Sequence, residues 1–279
     1  MRVRVLLGPM DEERFDVIDD LGIRFVASPV SRGDREAETL LLLSPWPESL
    51  YAYAPTWPAL VADHPVIAVD LPGFGRSEAR AELMSPHVMG EFITHLVDHF
   101  GLEQPHAVGP DVGTAALLFA AAAQPDLFRS VVVGAGAATH PMAIEGELRT
   151  LVEDDIGQPD GRAVVASFVG DDLPGAVRDD YAASYSGDRF AGSLAYLRSY
   201  PADLATLDPL LGSIRTPVQI IAGRDDPYGL ARDAEVLNEK LPASRLDVLD
   251  CGHAPWEEQP GNFAAIVSDW VDGSYLGVR

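Results

Sequence analysis

The sequence predicts an α/β protein: a mostly parallel central sheet with helices on both faces, broken by one helical insertion. Three observations carry this. Short apolar runs alternate with longer segments of helical periodicity. The runs are continuously apolar, as strands covered on both faces should be. The alternation fails once, between about 139 and 212, where strand character is lost.

Residues 1–30 are expected to supply one or two leading strands. TLLLLS (39–44), PVIAVD (65–70), HAVGP (106–110), RSVVVGA (129–135), PVQIIAG (217–223) and RLDVLD (245–250) read as buried strands. Helical patterns occupy 84–101, 112–124, 229–241 and 259–272, the crossovers that parallel neighbours require. The insertion is rich in Ala, Asp, Gly and Tyr and carries helical patterns at 144–155, 174–186 and 190–200. The expected division is a core of 1–138 and 213–279 with a helical cap of 139–212.

With 279 residues, 47% of them apolar, the chain can bury a sizeable core. Its net charge is −23, and Lys240 is its one lysine. So acidic a surface repels phosphate backbones and anionic lipid, which excludes nucleic acid and membrane surfaces as partners. The single Cys251 excludes an internal disulfide and a cysteine-based metal site, and the seven histidines form no H-E-x-x-H pattern. Neither metal nor cofactor is expected. The first residues turn acidic too soon for a secretion signal, and the longest apolar run, 112–123, is shorter than the ~20 residues that cross a bilayer. A cytoplasmic protein is expected.

Three short stretches carry chemistry, each after a different predicted strand, where ligands collect in open α/β sheets. In GPDVG, Asp111 stands between Gly109 and Gly113 where a strand hands over to a helix. It reads either as a nucleophile on a tight turn or as the cap of the following helix. In AGRDDPYG (222–229), Asp226 follows a strand, with Asp225 the alternative turn residue. In CGHAPWEEQP (251–260), His253 precedes a helix. Aspartate, aspartate and histidine thus occur in the chain order nucleophile, acid, histidine.

With these motifs the chain resembles an α/β-hydrolase of the aspartate-nucleophile subgroup, which includes epoxide hydrolases and haloalkane dehalogenases. The resemblance spans roughly 21–272. VDLPGFGRSE (69–78) is similar to the subgroup's loop after the fourth strand, and SPWPESLYAY (44–53) to the epoxide-hydrolase segment H-G-x-P-E-S-W-Y. It implies an α/β-hydrolase fold with a helical cap, Asp111 as nucleophile, His253 as the base that activates water, and Asp226 orienting His253. It implies oxyanion-hole donors at the N–H groups of Trp46 and Val112, and a cis bond at Trp46-Pro47. A carboxylate is already an anion, with a reference pKa of ~3.9, and can attack an sp³ carbon directly. It suits ester cleavage poorly, because its attack on an ester gives an anhydride.

The family's H-G pair is Ser44-Pro45 here, which leaves the N–H of Trp46 in place. Val112 stands where dehalogenases of this fold carry a halide-binding Trp and fluoroacetate dehalogenases an Arg. Epoxide hydrolases protonate the opening ring with two cap tyrosines; the candidates are Tyr181, Tyr185 and Tyr196, with Tyr200 beside them. In the family the second tyrosine directly precedes an arginine, whereas Leu197 separates Tyr196 from Arg198. The expectation is hydrolysis of a small apolar epoxide to a vicinal diol. The alternatives are a dehalogenase with the same triad and a non-hydrolytic descendant of the fold. An exposed apolar cap face would support a homodimer.

Overall fold

The structure, a computed structural model, describes residues 10, 12–28, 39–153, 160–169 and 173–278. β1 (Arg14–Ile18) and β2 (Leu21–Ala27) form an antiparallel hairpin closed by Asp19 and Asp20. Both turn residues have positive φ, 51° and 63°, as a two-residue hairpin loop requires. β2 pairs antiparallel with β4 (Val66–Val69). From there the sheet is parallel through β3 (Leu40–Leu43), β5 (His106–Val108), β6 (Ser130–Val133), β7 (Val218–Gly223) and β8 (Ser244–Leu249). The order is β1-β2-β4-β3-β5-β6-β7-β8.

Every residue of β3, β5, β6 and β7 is buried, which is why their sequences lack a polar face. β8 departs from the expectation of a buried strand. It is the sheet's edge, and all its residues are half-buried. Arg245 there lies over the Trp270 ring, 5.2 Å from its centroid.

The core helices are α1 (Trp57–Asp63), α2 (Pro86–His99) and α3 (Val112–Ala123), and, beyond the insertion, α8 (Leu230–Lys240), α9 (Pro255–Glu258) and α10 (Pro260–Val271). α2 starts at Ser85, whose hydroxyl accepts from Val88 N, with Pro86 at its first position. α3 is apolar all round because it lies in the middle of the molecule, packed along α2.

Between β6 and β7 the described residues hold α4 (Gly146–Glu153), α5 (Gly161–Phe168), α6 (Gly175–Ser184) and α7 (Arg189–Leu207), and no strand. The helical pattern at 144–155 is observed over 146–153, with 154 and 155 outside the described residues. α5 was not anticipated. The pattern at 190–200 proves too short, since α7 runs on through Pro201. The proline removes one intrahelical donor, but buried Leu204 and Leu207 continue the apolar face beyond it and hold the helix together. No described helix is long and apolar enough to cross a membrane.

Candidate active site

The chain leaves β5 through Gly109 and Pro110 and enters α3 at Val112, so Asp111 occupies the corner. Its backbone lies at φ 54°, ψ −121°, a strained region for a residue with a side chain. The corner is held by Asp111 N donating to Gly134 O, and by packing too close for side chains. A Cβ on Gly109 would stand 2.7 Å from Leu117 Cδ1, and one on Gly136 would stand 2.1 Å from the Asp111 carbonyl oxygen. Gly113 is less constrained than the G-x-D-x-G pattern suggests, since a Cβ there would meet only Leu43 at 3.7 Å. Gly136, after β6, is the glycine that the local motif does not contain.

The Asp111 side chain makes no capping bond to α3. Its Oδ1 accepts from Trp46 N at 2.8 Å, and its Oδ2 lies 3.4 Å from His253 Nε2. His253 Nδ1 is 2.9 Å from Asp226 Oδ2, and Asp226 Oδ1 accepts from Tyr228 N at 2.8 Å. Three side chains from the ends of β5, β7 and β8 therefore meet in one chain of contacts. Burial disfavours a charged imidazole, but the carboxylates of Asp111 and Asp226 outweigh it and raise His253 to about 10. At neutral pH it is a cation between two anions.

The loop that brings Trp46 to Asp111 is fixed from below. Leu50 N and Arg76 N donate to the two oxygens of buried Asp70, at 2.6 and 2.9 Å, and Tyr53 OH donates to Leu43 O. Asp70 is thus what the VDLPGFGRSE stretch contributes: it ties loop to loop beside the sheet. The Trp46-Pro47 peptide bond is cis. Glu258 secures the histidine loop by accepting from Gly252 N and Ala254 N, at 2.7 and 3.0 Å.

Asp111 and His253 open onto a cavity of about 500 Å³. Its wall includes Trp46, Glu48, Phe168, Tyr228, Glu257 and Glu258, with Leu148 and Leu173 from the insertion side. Val112, the first residue of α3, is buried behind Asp111. The tyrosines expected across the cavity do not line it. Tyr196 OH donates to Val112 O at 2.7 Å, Tyr181 OH donates to Glu257 Oε1 at 2.7 Å, and Tyr185 OH accepts from Gly75 N at 3.4 Å. All three are fully buried at the seam between insertion and core. Tyr200 is also buried, edge-on to Tyr196.

Two wall carboxyls were missed from the sequence. Glu48 accepts from Trp256 Nε1 at 2.8 Å, and burial, reinforced by Glu257, pushes it well above the carboxylate range. Burial likewise raises Glu257 to about 7. Glu48 stands inside the quoted SPWPES stretch and Glu257 four residues after His253, so both were visible as letters. Nothing local signals that they face one cavity. Among the described residues, no group of three or more His, Cys, Asp or Glu side chains is set to hold a metal ion.

A family model described as the alpha/beta hydrolase fold matches residues 38–260. The 3-oxoadipate enol-lactonase 2 of Acinetobacter baylyi is 29% identical over 203 residues, which cover 71% of this chain and 75% of that protein. Cfl2 from Burkholderia cenocepacia superposes with a TM-score of 0.77 at 21% identity, over 93% of this chain and 95% of its own. Epoxide hydrolase A from Mycobacterium thermoresistibile gives 0.74 at 21% identity, over 96% and 99%. At these identities the solved structures speak to the fold alone.

Proposed function

The chain belongs to the alpha/beta hydrolase fold family, and from that premise we propose that it hydrolyses an epoxide to a vicinal diol through an ester formed on Asp111. The observation that carries this is a carboxylate on a strained corner with one oxygen held by Trp46 N–H and the other facing the cavity beside His253. Oδ2 attacks an epoxide carbon and the ring C–O bond breaks. Oδ1 becomes the ester carbonyl oxygen, already seated on a backbone donor. The departing alkoxide needs a proton. We assign that role to Glu48, which lines the cavity with Asp111 and His253 and whose burial raises it well above the usual carboxylate range.

Ester formation removes the negative charge of Asp111. The imidazolium then loses one of the two anions that hold its proton, passes that proton to the Glu48 carboxylate left by the first step, and becomes a base when a base is required. Neutral His253 takes a proton from water, and the hydroxide adds to Cγ of Asp111. Collapse of the adduct breaks the ester C–O bond and His253 returns its proton to the diol oxygen; the Asp111 carboxylic acid then gives its proton to His253, which restores the starting pair, and Asp226 orients the imidazole throughout.

Two observations weigh against the alternatives. Trp46, the tryptophan on the cavity wall, gives its indole N–H to Ser193 Oγ at 2.8 Å and offers no cradle to a halide. Lactone or ester cleavage, as the names of some relatives suggest, would require Asp111 to form an anhydride.

A single turnover of styrene oxide in H₂¹⁸O tests the reading. The expected result is label in Asp111 and none in the first diol. His253→Gln should accumulate the Asp111 ester, detected as a mass increment on the peptide carrying residue 111. Label appearing directly in the diol, with no adduct on Asp111, overturns it.

A further inference from the structure

Among the described residues, the cavity wall carries four acidic side chains, Asp111, Glu48, Glu257 and Glu258, and no lysine or arginine. The cation among them, His253, is already shared between Asp111 and Asp226. Glu258 is committed to two backbone N–H groups. The other two differ. Glu48 is 9% exposed, and its described partner is an indole N–H; the described partner of Glu257 is the Tyr181 hydroxyl. Both donors are neutral, so neither carboxyl has a countercharge among its described hydrogen-bond partners, and Glu48 meets the His253 cation only through space. Around them stand the rings of Trp46, Phe168 and Tyr228, with Trp46 and Phe168 tilted together at 6.2 Å and Phe168 and Tyr228 at 6.4 Å.

A carboxylate entering this space would have to stand beside Asp111 and carboxyls whose ionisation it disfavours further, and among the described residues it finds no guanidinium or ammonium to receive it. An ammonium meets carboxyl oxygens and the faces of aromatic rings, both of which attract a cation. We propose that Glu257, backed by Glu48, makes this cavity select amine-bearing substrates over carboxylate-bearing ones. The inference takes the cavity as the substrate site, as the reading above does, but needs no ring opening. Burial raises Glu257 to about 7, so a bound ammonium also draws it into its ionised form. Its facing groups are the Tyr181 hydroxyl, Glu258 and Glu48.

Calorimetric titration with benzylamine, benzyl alcohol and benzoate tests this at about 0.15 M salt, where surface attraction is largely screened. Benzylamine should bind at least about tenfold more tightly than benzoate, with benzyl alcohol between them. Glu257→Gln, whose amide oxygen can still accept from Tyr181, should narrow that ratio. Glu239→Gln, the same charge change at an exposed position, should not. Equal binding of benzylamine and benzoate, no binding of benzylamine, or a ratio indifferent to Glu257→Gln each overturns the proposal. Styrene oxides carrying para-aminomethyl or para-carboxylate groups extend the comparison to turnover. Failure to open any epoxide would sink the Asp111 chemistry and leave the binding ratio to decide charge selection.

Discussion

His253 between Asp111 and Asp226 makes the site's charge state depend on a single bond. The imidazole, ordinarily near 6.5, is held protonated up to about 10 by the two carboxylates, although burial pulls the other way. Asp111→Asn removes one of the two carboxylates while keeping the shape, as the proposed ester would. The ring titration followed by NMR should therefore move well down from about 10 in that variant. The same linkage sets a stability window. A folded-state value above the unfolded one stabilises fully below about 6.5, and the contribution is lost as pH rises through about 10. Urea midpoints should accordingly fall between those values in the native protein and fall less in Asp111→Asn. An unmoved titration would mean that Asp111 does not hold the proton on His253.

The corner between β5 and α3 is built by elements distant in sequence. β5 and α3 supply the bend, and the loop after β6 closes it from the side at Gly136. A methyl group there would lie 2.1 Å from the Asp111 carbonyl oxygen and 2.8 Å from Thr114 Oγ1. Backbone and the buried Thr114 cannot both retreat, since Thr114 Oγ1 already donates to Gly134 O and accepts from Gly134 N. Gly136→Ala should cost about 1–3 kcal/mol, the usual range for overpacking. Thermal denaturation reads that loss. Turnover should fall further than stability, because the displaced atom belongs to Asp111, the nucleophile proposed above.

At the scale of the molecule, the insertion is fastened to the core at several points along one seam. Arg24 of β2 is fully buried and bonds Asp180 of α6 through Nη1 and Nη2, at 3.1 and 2.9 Å, while also facing Asp70 at 3.3 Å. Ser49 OH adds a 2.6 Å bond to Asp180, and Arg189 of α7 donates to the carbonyls of Gly75 and Ser77. One guanidinium thus compensates a carboxylate in the core and another in the insertion, with Glu13 as a third partner at 2.7 Å. Arg24→Met leaves both without it and should destabilise the protein by about 3–5 kcal/mol, measured as a lower urea midpoint. A loss below about 1 kcal/mol would show that the seam is held by packing alone.

The sheet and the helices α2, α3, α8 and α10 were legible in the sequence because their causes are local, uninterrupted apolar runs and helical periodicity; the short helices α1, α5 and α9 carry no such signal. The positions of Asp111, Asp226 and His253 were legible for a related reason, since each follows a strand and parallel strands deliver their C-terminal ends to one edge. Which way a side chain points was not legible. Tyr181, Tyr185 and Tyr196 looked equivalent as letters, yet rotation of α6 and α7 on the core sends their hydroxyls to Glu257, Gly75 and Val112. Glu48 meets Trp256 across 208 positions, and Gly136 meets Asp111 from the loop after a neighbouring strand. The sequence by itself determined the fold and the chain order of Asp111, Asp226 and His253, through patterns of a few residues. Only the tertiary structure decided what lines the cavity and with what charge, because burial and the approach of distant carboxyls belong to no single segment.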